Sequence, residues 1–144
     1  MILTDTHCHL YLDDFKADID DIIKKAEVAD VHKFYLPAID SSETNNLLEL
    51  EKKFPGKCIA MMGLHPCSVK ANYKMELLLA EDWLAKRKFV AIGEIGLDFY
   101  WDKTFTTEQY DAFRIQAEWA LHYNLPIVIH TRNAMQETID VVKE

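Results

Sequence analysis

The stretch FVAIGEIGLD at residues 89–98 joins an apolar run directly to an acidic segment that contains Glu94 and Asp98. Four more apolar runs occur along the chain, and a segment with helical periodicity follows each of the five. The other runs are Ile2–Leu3, Lys33–Leu36, Cys58–Met62 and Ile127–Ile129. Their spacing of roughly 30 residues is that of one βα unit, so the sequence predicts an α/β protein with a parallel sheet.

Residues with metal-binding chemistry follow four of the five runs, and their distribution distinguishes two parallel architectures. A barrel opens the carboxyl ends of all its strands onto one face, whereas a doubly wound sheet brings together only residues around its switch point. The residues in question, His7, His9, His65, Glu94 and His130, are far apart in the sequence. Their pattern therefore favours a TIM-type (β/α)8 barrel.

The composition is that of one globular domain over residues 1–144, with 49% hydrophobic and 28% charged residues. No apolar run reaches the ~18 residues of a membrane helix, and the N-terminus lacks the basic region of a signal peptide. Three cysteines without a CxxC pair favour reduced thiols, so we expect a cytoplasmic protein that contacts no membrane. The net charge of -8 argues against a broad basic face for nucleic acid but is compatible with an enzyme that grips one or two phosphates.

The helix after the acidic segment is the best specified. Thr106 and Gln109 have the spacing of a capping box, while Asn124 and Pro126 predict where the helix stops. Another N-cap is predicted at Ser41-Ser42, ahead of an earlier helix.

His7 and His9 are the sharpest candidates for metal ligands. Residues two apart in a strand point to the same side, so both imidazoles can bind one ion while Cys8 faces away. Glu94 follows a run too apolar for an unpaired carboxylate, which indicates either a metal ligand or an ion pair. His130 follows Ile127–Ile129, a strand whose composition predicts burial on both faces, and is either a further ligand or a histidine bonded in the core.

Several nearby residues suit supporting roles. Arg132 has the geometry for bidentate phosphate binding, with a surface salt bridge as the alternative. His65 is a candidate contact to a substrate or a metal-bound phosphate, or else a turn-stabilising residue. Asp98 either orients a histidine or a metal-bound water, or caps its loop. Asp5 is expected to accept a hydrogen bond from a metal-binding imidazole.

Two features flank this acidic segment. Gly93 and Gly96 are expected to keep the backbone open for a close substrate, and Phe99–Trp101 either stack on bases or pack the loop.

Four motifs in order resemble the TatD family of metal-dependent deoxyribonucleases: DTHCHL at 5–10, GLHP at 63–66, GEIGLD at 93–98 and PIVIHTR at 126–132. The resemblance implies two divalent metal ions (Mg²⁺, Mn²⁺ or Zn²⁺) and exonuclease-like cleavage of DNA. It also implies that His7 and His9 bind one ion, that Glu94 bridges both and that His130 binds the second. From their own chemistry, His65 and Asp98 are the further catalytic candidates, and His65 and Arg132 are the expected substrate contacts.

The family pattern continues with a further His and an Asp after later strands, which this chain does not contain. A full barrel takes about 250 residues, so we expect this chain to supply about the first five βα units as the N-terminal part of a longer protein. Open sheet edges also make self-association an expectation. The alternatives are an amide or lactone hydrolase of the same superfamily, in which a carboxylated lysine often occupies the place of Glu94, and a non-catalytic truncated module.

Overall fold

The computed structural model describes residues 1–144 and confirms the predicted alternation of strands and helices. The strands are β1 (Leu3–Asp5), β2 (Val31–Leu36), β3 (Cys58–Ala60), β4 (Ile92–Asp98) and β5 (Ile127–Arg132). The helices are α1 (Asp13–Lys16), α2 (Ile19–Val28), α3 (Thr44–Lys53), α4 (Tyr73–Lys86), α5 (Thr106–Tyr123) and α6 (Met135–Lys143), with a short 3₁₀ turn at Pro66–Ser68. None of the helices combines the length and the apolar character that crossing a bilayer requires.

All strand pairs are parallel, and the strand order follows the chain. β1 pairs with β2 and β2 with β3, while β4 pairs with β5. A single bridge between Met62 and Ile92 joins the two groups, with the Gly93 amide donating to the Met62 carbonyl at 2.9 Å. The structure is therefore an α/β fold in which each strand lies beside its predecessor, and all carboxyl ends face the same way.

β4 is the innermost strand, and its position corrects the predicted boundary. All seven of its residues are buried. Only Ile92 of the apolar run Phe89–Ile92 belongs to β4, and the strand continues to Asp98, so Glu94 lies inside it. The apolar run stops at Ile92, so the sequence pattern did not show that the strand continues. A strand buried on both faces can hold Glu94 only because the carboxylate has polar partners.

The glycines of β4 have a different use from the one expected. A Cβ at Gly96, whose φ is +140°, would lie 2.0 Å from the backbone oxygen of His130, and one at Gly93 would lie 2.7 Å from Cβ of Val128. These residues therefore let β5 approach β4 closely. Gly96 lies against His130 and Gly93 against Val128, so β5 fills the space at both positions that was expected for a substrate.

The two outer strands are more exposed than their composition suggests. All three residues of β1 are exposed, and Ile129 in β5 is 37% exposed. The prediction that Ile127–Ile129 is buried on both faces was wrong, because no strand of this chain pairs with the outer edge of β5.

The predicted helix caps were correct at one end of α5 only. Asn124 adopts the left-handed conformation, with φ of 53°, where the helix stops. Thr106 is already inside the helix, and Gln109 is buried against the backbone of Asp98 instead of closing a capping box. The predicted N-cap of α3 also fails, because Ser42 hydrogen bonds to Asp40 and the helix begins at Thr44.

Candidate metal centre

The two histidines that follow β1 reach one carboxylate oxygen of Glu94. His7 Nε2 lies 2.9 Å and His9 Nε2 lies 3.5 Å from Glu94 Oε2. β1 ends before both histidines, so the strand alternation used to predict their shared side does not apply. The connecting segment still brings both imidazoles to the same atom, while Cys8 between them points its Sγ at a carbonyl of β2, 3.7 Å away.

The other oxygen of Glu94 faces two different histidines. His130 Nδ1 lies 3.0 Å and His65 Nε2 lies 3.7 Å from Glu94 Oε1. Burial opposes ionisation of Glu94, but hydrogen bonds from His130 and His9, with the charges of the remaining histidines, hold its pKa well below the usual range. The carboxylate is therefore ionised between two pairs of imidazoles, with one oxygen for each pair.

The chemistry of these donors fits divalent metal ions. His7, His9 and Glu94 offer ligand atoms that all lie within 4.8 Å of one another. Two imidazoles and a carboxylate suit Zn²⁺ or Mn²⁺, and the carboxylates also suit Mg²⁺. A buried carboxylate surrounded by imidazoles rather than by Lys or Arg also disfavours the ion-pair reading of Glu94.

Asp98 fixes the orientation of His130. Its Oδ2 lies 2.8 Å from His130 Nε2, and its Oδ1 accepts hydrogen bonds from the amides of Tyr100 and Trp101. Gln109 in turn accepts from the Asp98 amide at 2.9 Å. An Nε2–H donated to Asp98 leaves Nδ1, the atom that faces Glu94, available as a ligand whenever His130 is neutral.

His130 is also the histidine whose charge the site favours. Hydrogen bonding to Glu94 raises the pKa of His130 above its usual value, burial opposes this, and the hydrogen bond to Asp98 adds to the rise. The carboxylates of Glu94 and Asp98 therefore favour positive charge around His130. That charge is carried either by the protonated ring or by an ion held between Glu94 and His130.

Tyr11, rather than Asp5 as predicted, accepts the hydrogen bond from the second ring nitrogen of a candidate metal ligand, His9. The Tyr11 hydroxyl donates to the Pro37 carbonyl at 2.6 Å, so it must accept from His9 Nδ1 at 2.9 Å. In the neutral ring Nε2 then carries the lone pair and is the nitrogen that can bind a metal ion, whereas the protonated ring donates from Nε2 to Glu94. Asp5 instead accepts from the backbone amide of His7. The sequence signal for Tyr11 was its position two residues after His9, the same step that separates the histidines.

His65 is oriented as a hydrogen-bond donor. Its Nδ1 accepts from the Cys67 amide at 3.0 Å at the start of the 3₁₀ turn, so in the neutral ring Nε2 carries the proton. Burial lowers the pKa of His65 to about 4, which keeps the ring neutral near pH 7. His65, Cys67 and His130 also have ligand atoms within 4.8 Å of one another, but a protonated Nε2 favours donation over metal binding.

Arg132 lies at the rim of the centre. β5 persists as far as this residue, as its assignment to the side of His130 required. Its guanidinium carbon lies 3.7 Å from the ring centre of Tyr100 and 5.1 Å from that of Trp101. The structure brings all the other predicted site residues into one cluster around Glu94, and places Arg132 beside that cluster.

Comparison with known proteins gives a consistent result. Residues 4–144 match the sequence profile of the family described as TatD related DNase. The chain is 32% identical over 143 residues to the uncharacterized metal-dependent hydrolase YabD of Bacillus subtilis, covering 99% of this chain and 56% of that protein. It is 31% identical over 156 residues to the human deoxyribonuclease TATDN3, with the same two coverages.

A solved structure agrees with the sequence matches. The crystal structure of YJJV, a TatD homolog from Escherichia coli K12, superposes with a TM-score of 0.90 at 29% identity, covering 98% of this chain and 55% of that one. The chain thus spans about half the length of the relatives it matches.

Proposed function

The chain belongs to the family of TatD-related DNases. We propose that it forms part of a metal-dependent hydrolase that cleaves phosphodiester bonds of DNA with two divalent metal ions. The observation that carries this proposal is the Glu94 carboxylate, whose two oxygens face two separate pairs of imidazoles. A carboxylate in that position is suited to bridging two ions. The deoxyribonuclease name of the human relative supports DNA as the substrate.

The residues that would hold the ions follow from these contacts. His7, His9 and Glu94 would hold one ion, and Glu94 with His130 would hold the other, the identity being Mg²⁺, Mn²⁺ or Zn²⁺. When bound, such ions lower the pKa of a water and neutralise charge on a phosphate. Tyr11 and Asp98 keep His9 and His130 in the tautomers that ligation requires.

The remaining polar residues act on the substrate in this proposal. His65 donates its Nε2–H to a phosphate oxygen, and its depressed pKa keeps it from competing as a cation with the metal ions. Arg132 pairs with a phosphate at the rim. Neither role requires the broad basic surface that the net charge of -8 argues against.

We also propose the setting in which this site works. One hydrophobic cluster from Tyr11 to Val141 supports a single domain over residues 1–144, arranged as five units of a (β/α)8 barrel. Exposed Leu3 on β1 and Ile129 on β5 support self-association through the open sheet edges. Three free cysteines support a cytoplasmic location.

The first test combines metal content with hydrolysis of single-stranded DNA by the 144-residue chain. Glu94→Gln keeps the shape of the side chain and removes its charge, so bound metal and hydrolysis should both fall to the level of an EDTA control. The matched control is Glu81→Gln, an exposed glutamate on α4, which should behave as wild type.

Each other outcome identifies a different error. Full metal content and activity in Glu94→Gln would overturn the bridging role. Metal bound without any hydrolysis would favour the non-catalytic module, and hydrolysis of dihydropyrimidines or acylated amino acids but not DNA would favour the amide hydrolase.

A further inference from the structure

We propose that Tyr100, Trp101 and Arg132 form a nucleotide subsite beside the metal centre, in which a base stacks on the aromatic rings and an adjoining phosphate pairs with the guanidinium. The inference rests on the proposed function, because it assigns a second contact to the same DNA substrate. It concerns the nucleotide next to the one whose phosphate is cleaved.

Arg132 is the one arginine of this chain that has no carboxylate partner. Arg87 pairs with Glu51 and Arg114 pairs with Glu144, each at 2.5 Å, whereas no carboxylate lies within 4.0 Å of Arg132. The planar guanidinium group of Arg132 therefore remains available for bidentate contact with a phosphate.

The aromatic residues beside Arg132 offer open ring surface. Trp101 is 68% exposed and Tyr100 is 50% exposed. Their rings meet edge to face, with centres 4.8 Å apart, and the guanidinium of Arg132 stacks on Tyr100. Flat apolar surface next to a free guanidinium matches the two parts of a nucleotide, a base and a phosphate.

Hydrogen bonds attach this platform to the proposed catalytic cluster. The amides of Tyr100 and Trp101 donate to Asp98 Oδ1 at 2.9 and 3.0 Å, while Asp98 Oδ2 holds His130 at 2.8 Å. The Phe99 amide donates to the Arg132 carbonyl at 2.8 Å. The Asp98 carboxylate thus fixes both the backbone of Tyr100 and Trp101 and a candidate metal ligand, His130, so the two aromatic rings are held beside the candidate metal centre.

The test measures binding rather than cleavage. A short oligothymidylate with a phosphorothioate backbone that resists cleavage is titrated against the full chain with Mg²⁺, and tryptophan fluorescence and anisotropy are followed. Trp101→Ala should weaken binding roughly five- to 150-fold and abolish the quenching of fluorescence. Trp101→Phe should restore most of the affinity, and Trp83→Phe on α4, the matched control, should leave both affinity and quenching unchanged.

An oligomer with abasic sites separates stacking from other contacts. Wild type should bind it more weakly than oligothymidylate, and Trp101→Ala should cause no further loss. An equal loss with both oligomers, wild-type affinity in Trp101→Ala, or no binding by wild type would each overturn the subsite. Trp101-dependent binding by a chain that hydrolyses no DNA would instead count against the proposed function and leave the subsite standing.

Discussion

β4 and the two outer strands contribute to the same site from opposite surroundings. β4 is buried along its whole length and carries Glu94 and Asp98. β1 is exposed at all three residues and β5 has an open edge, yet His7 and His9 come from the segment after β1 and His130 comes from β5 itself. The carboxylates are thus held by the interior of the fold, whereas three of the four imidazoles that face Glu94 come from its margins, and only His65 follows an inner strand, β3.

This difference follows from the cost of burying charge. An ionised carboxylate inside a protein requires partners that satisfy its oxygens. In this chain the partners of Glu94 are histidines rather than a lysine or arginine. The interior therefore holds a negative charge that a bound metal ion can neutralise in place of protonated imidazoles. Stability measurements on the two regions are therefore a direct way to examine how the site is held.

The largest effect is expected at the contact between the inner strand and its neighbour. Gly96→Ala places a Cβ 2.0 Å from the His130 backbone oxygen, at a φ of +140° that side chains rarely adopt. We expect a loss of about 4 kcal/mol or more in the free energy of unfolding, measured by urea denaturation.

The control for this prediction is Gly56→Ala. Gly56 also has a positive φ, of +76°, but a Cβ there meets nothing within 4 Å, so only the conformational cost of roughly 1–2 kcal/mol remains. Equal losses in the two variants would mean that β5 does not lie against β4 as described.

A smaller difference is expected between two leucines that receive the same substitution. Leu97 in β4 is fully buried, and Leu97→Ala should cost about 2–5 kcal/mol. Leu3 in β1 is 39% exposed, so Leu3→Ala should cost about 1 kcal/mol or less at low protein concentration. Thermal and urea unfolding over a range of concentrations would check both values.

The concentration dependence makes this comparison informative about the sheet edge. If chains associate through β1, Leu3→Ala will become more costly as protein concentration rises, because Leu3 is then buried between copies. A cost at Leu3 as large as that at Leu97 even in dilute solution would contradict the exposed position of β1.

The sequence predicted the parts of this fold that depend on periodicity and strand ends. The alternation of five strands with helices and the convergence of His7, His9, His65, Glu94 and His130 both follow from apolar runs and the residues after them. It predicted exposure poorly, because the composition of Ile127–Ile129 is that of a buried strand whether or not a neighbour covers its edge.

The supporting residues were the least predictable part of the site. Gln109 has the spacing of a capping residue, and only the packing of α5 against β4 directs it to the Asp98 backbone. Tyr11 and the glycines of β4 act through hydroxyl geometry and close strand approach, which leave no periodic pattern. Local signals therefore identified the candidate ligands, while their orientation depends on tertiary contacts.

The last predicted effect concerns pH and His65, the neutral histidine beside Glu94. Burial lowers the pKa of His65 to about 4 from an ordinary value of 6.5, so the unfolded chain binds more protons than the folded one between these values. Stability from His65 is present above pH 6.5 and is lost as the pH falls toward 4. From pH 6.5 to 4.5 the metal-free protein should lose about 2 kcal/mol that His65→Asn does not lose.

The other shifted groups of the centre titrate outside that window. The raised pKa of His130 means that its contribution is lost as pH rises above 6.5, and the lowered pKa of Glu94 means that its contribution is lost only below 4.5. Urea unfolding in EDTA at several pH values would measure the slope, with exposed His122→Asn on α5 as the control. Identical slopes for wild type and His65→Asn would show that His65 is not held neutral, and its assignment as an Nε2–H donor beside Glu94 would fall with it.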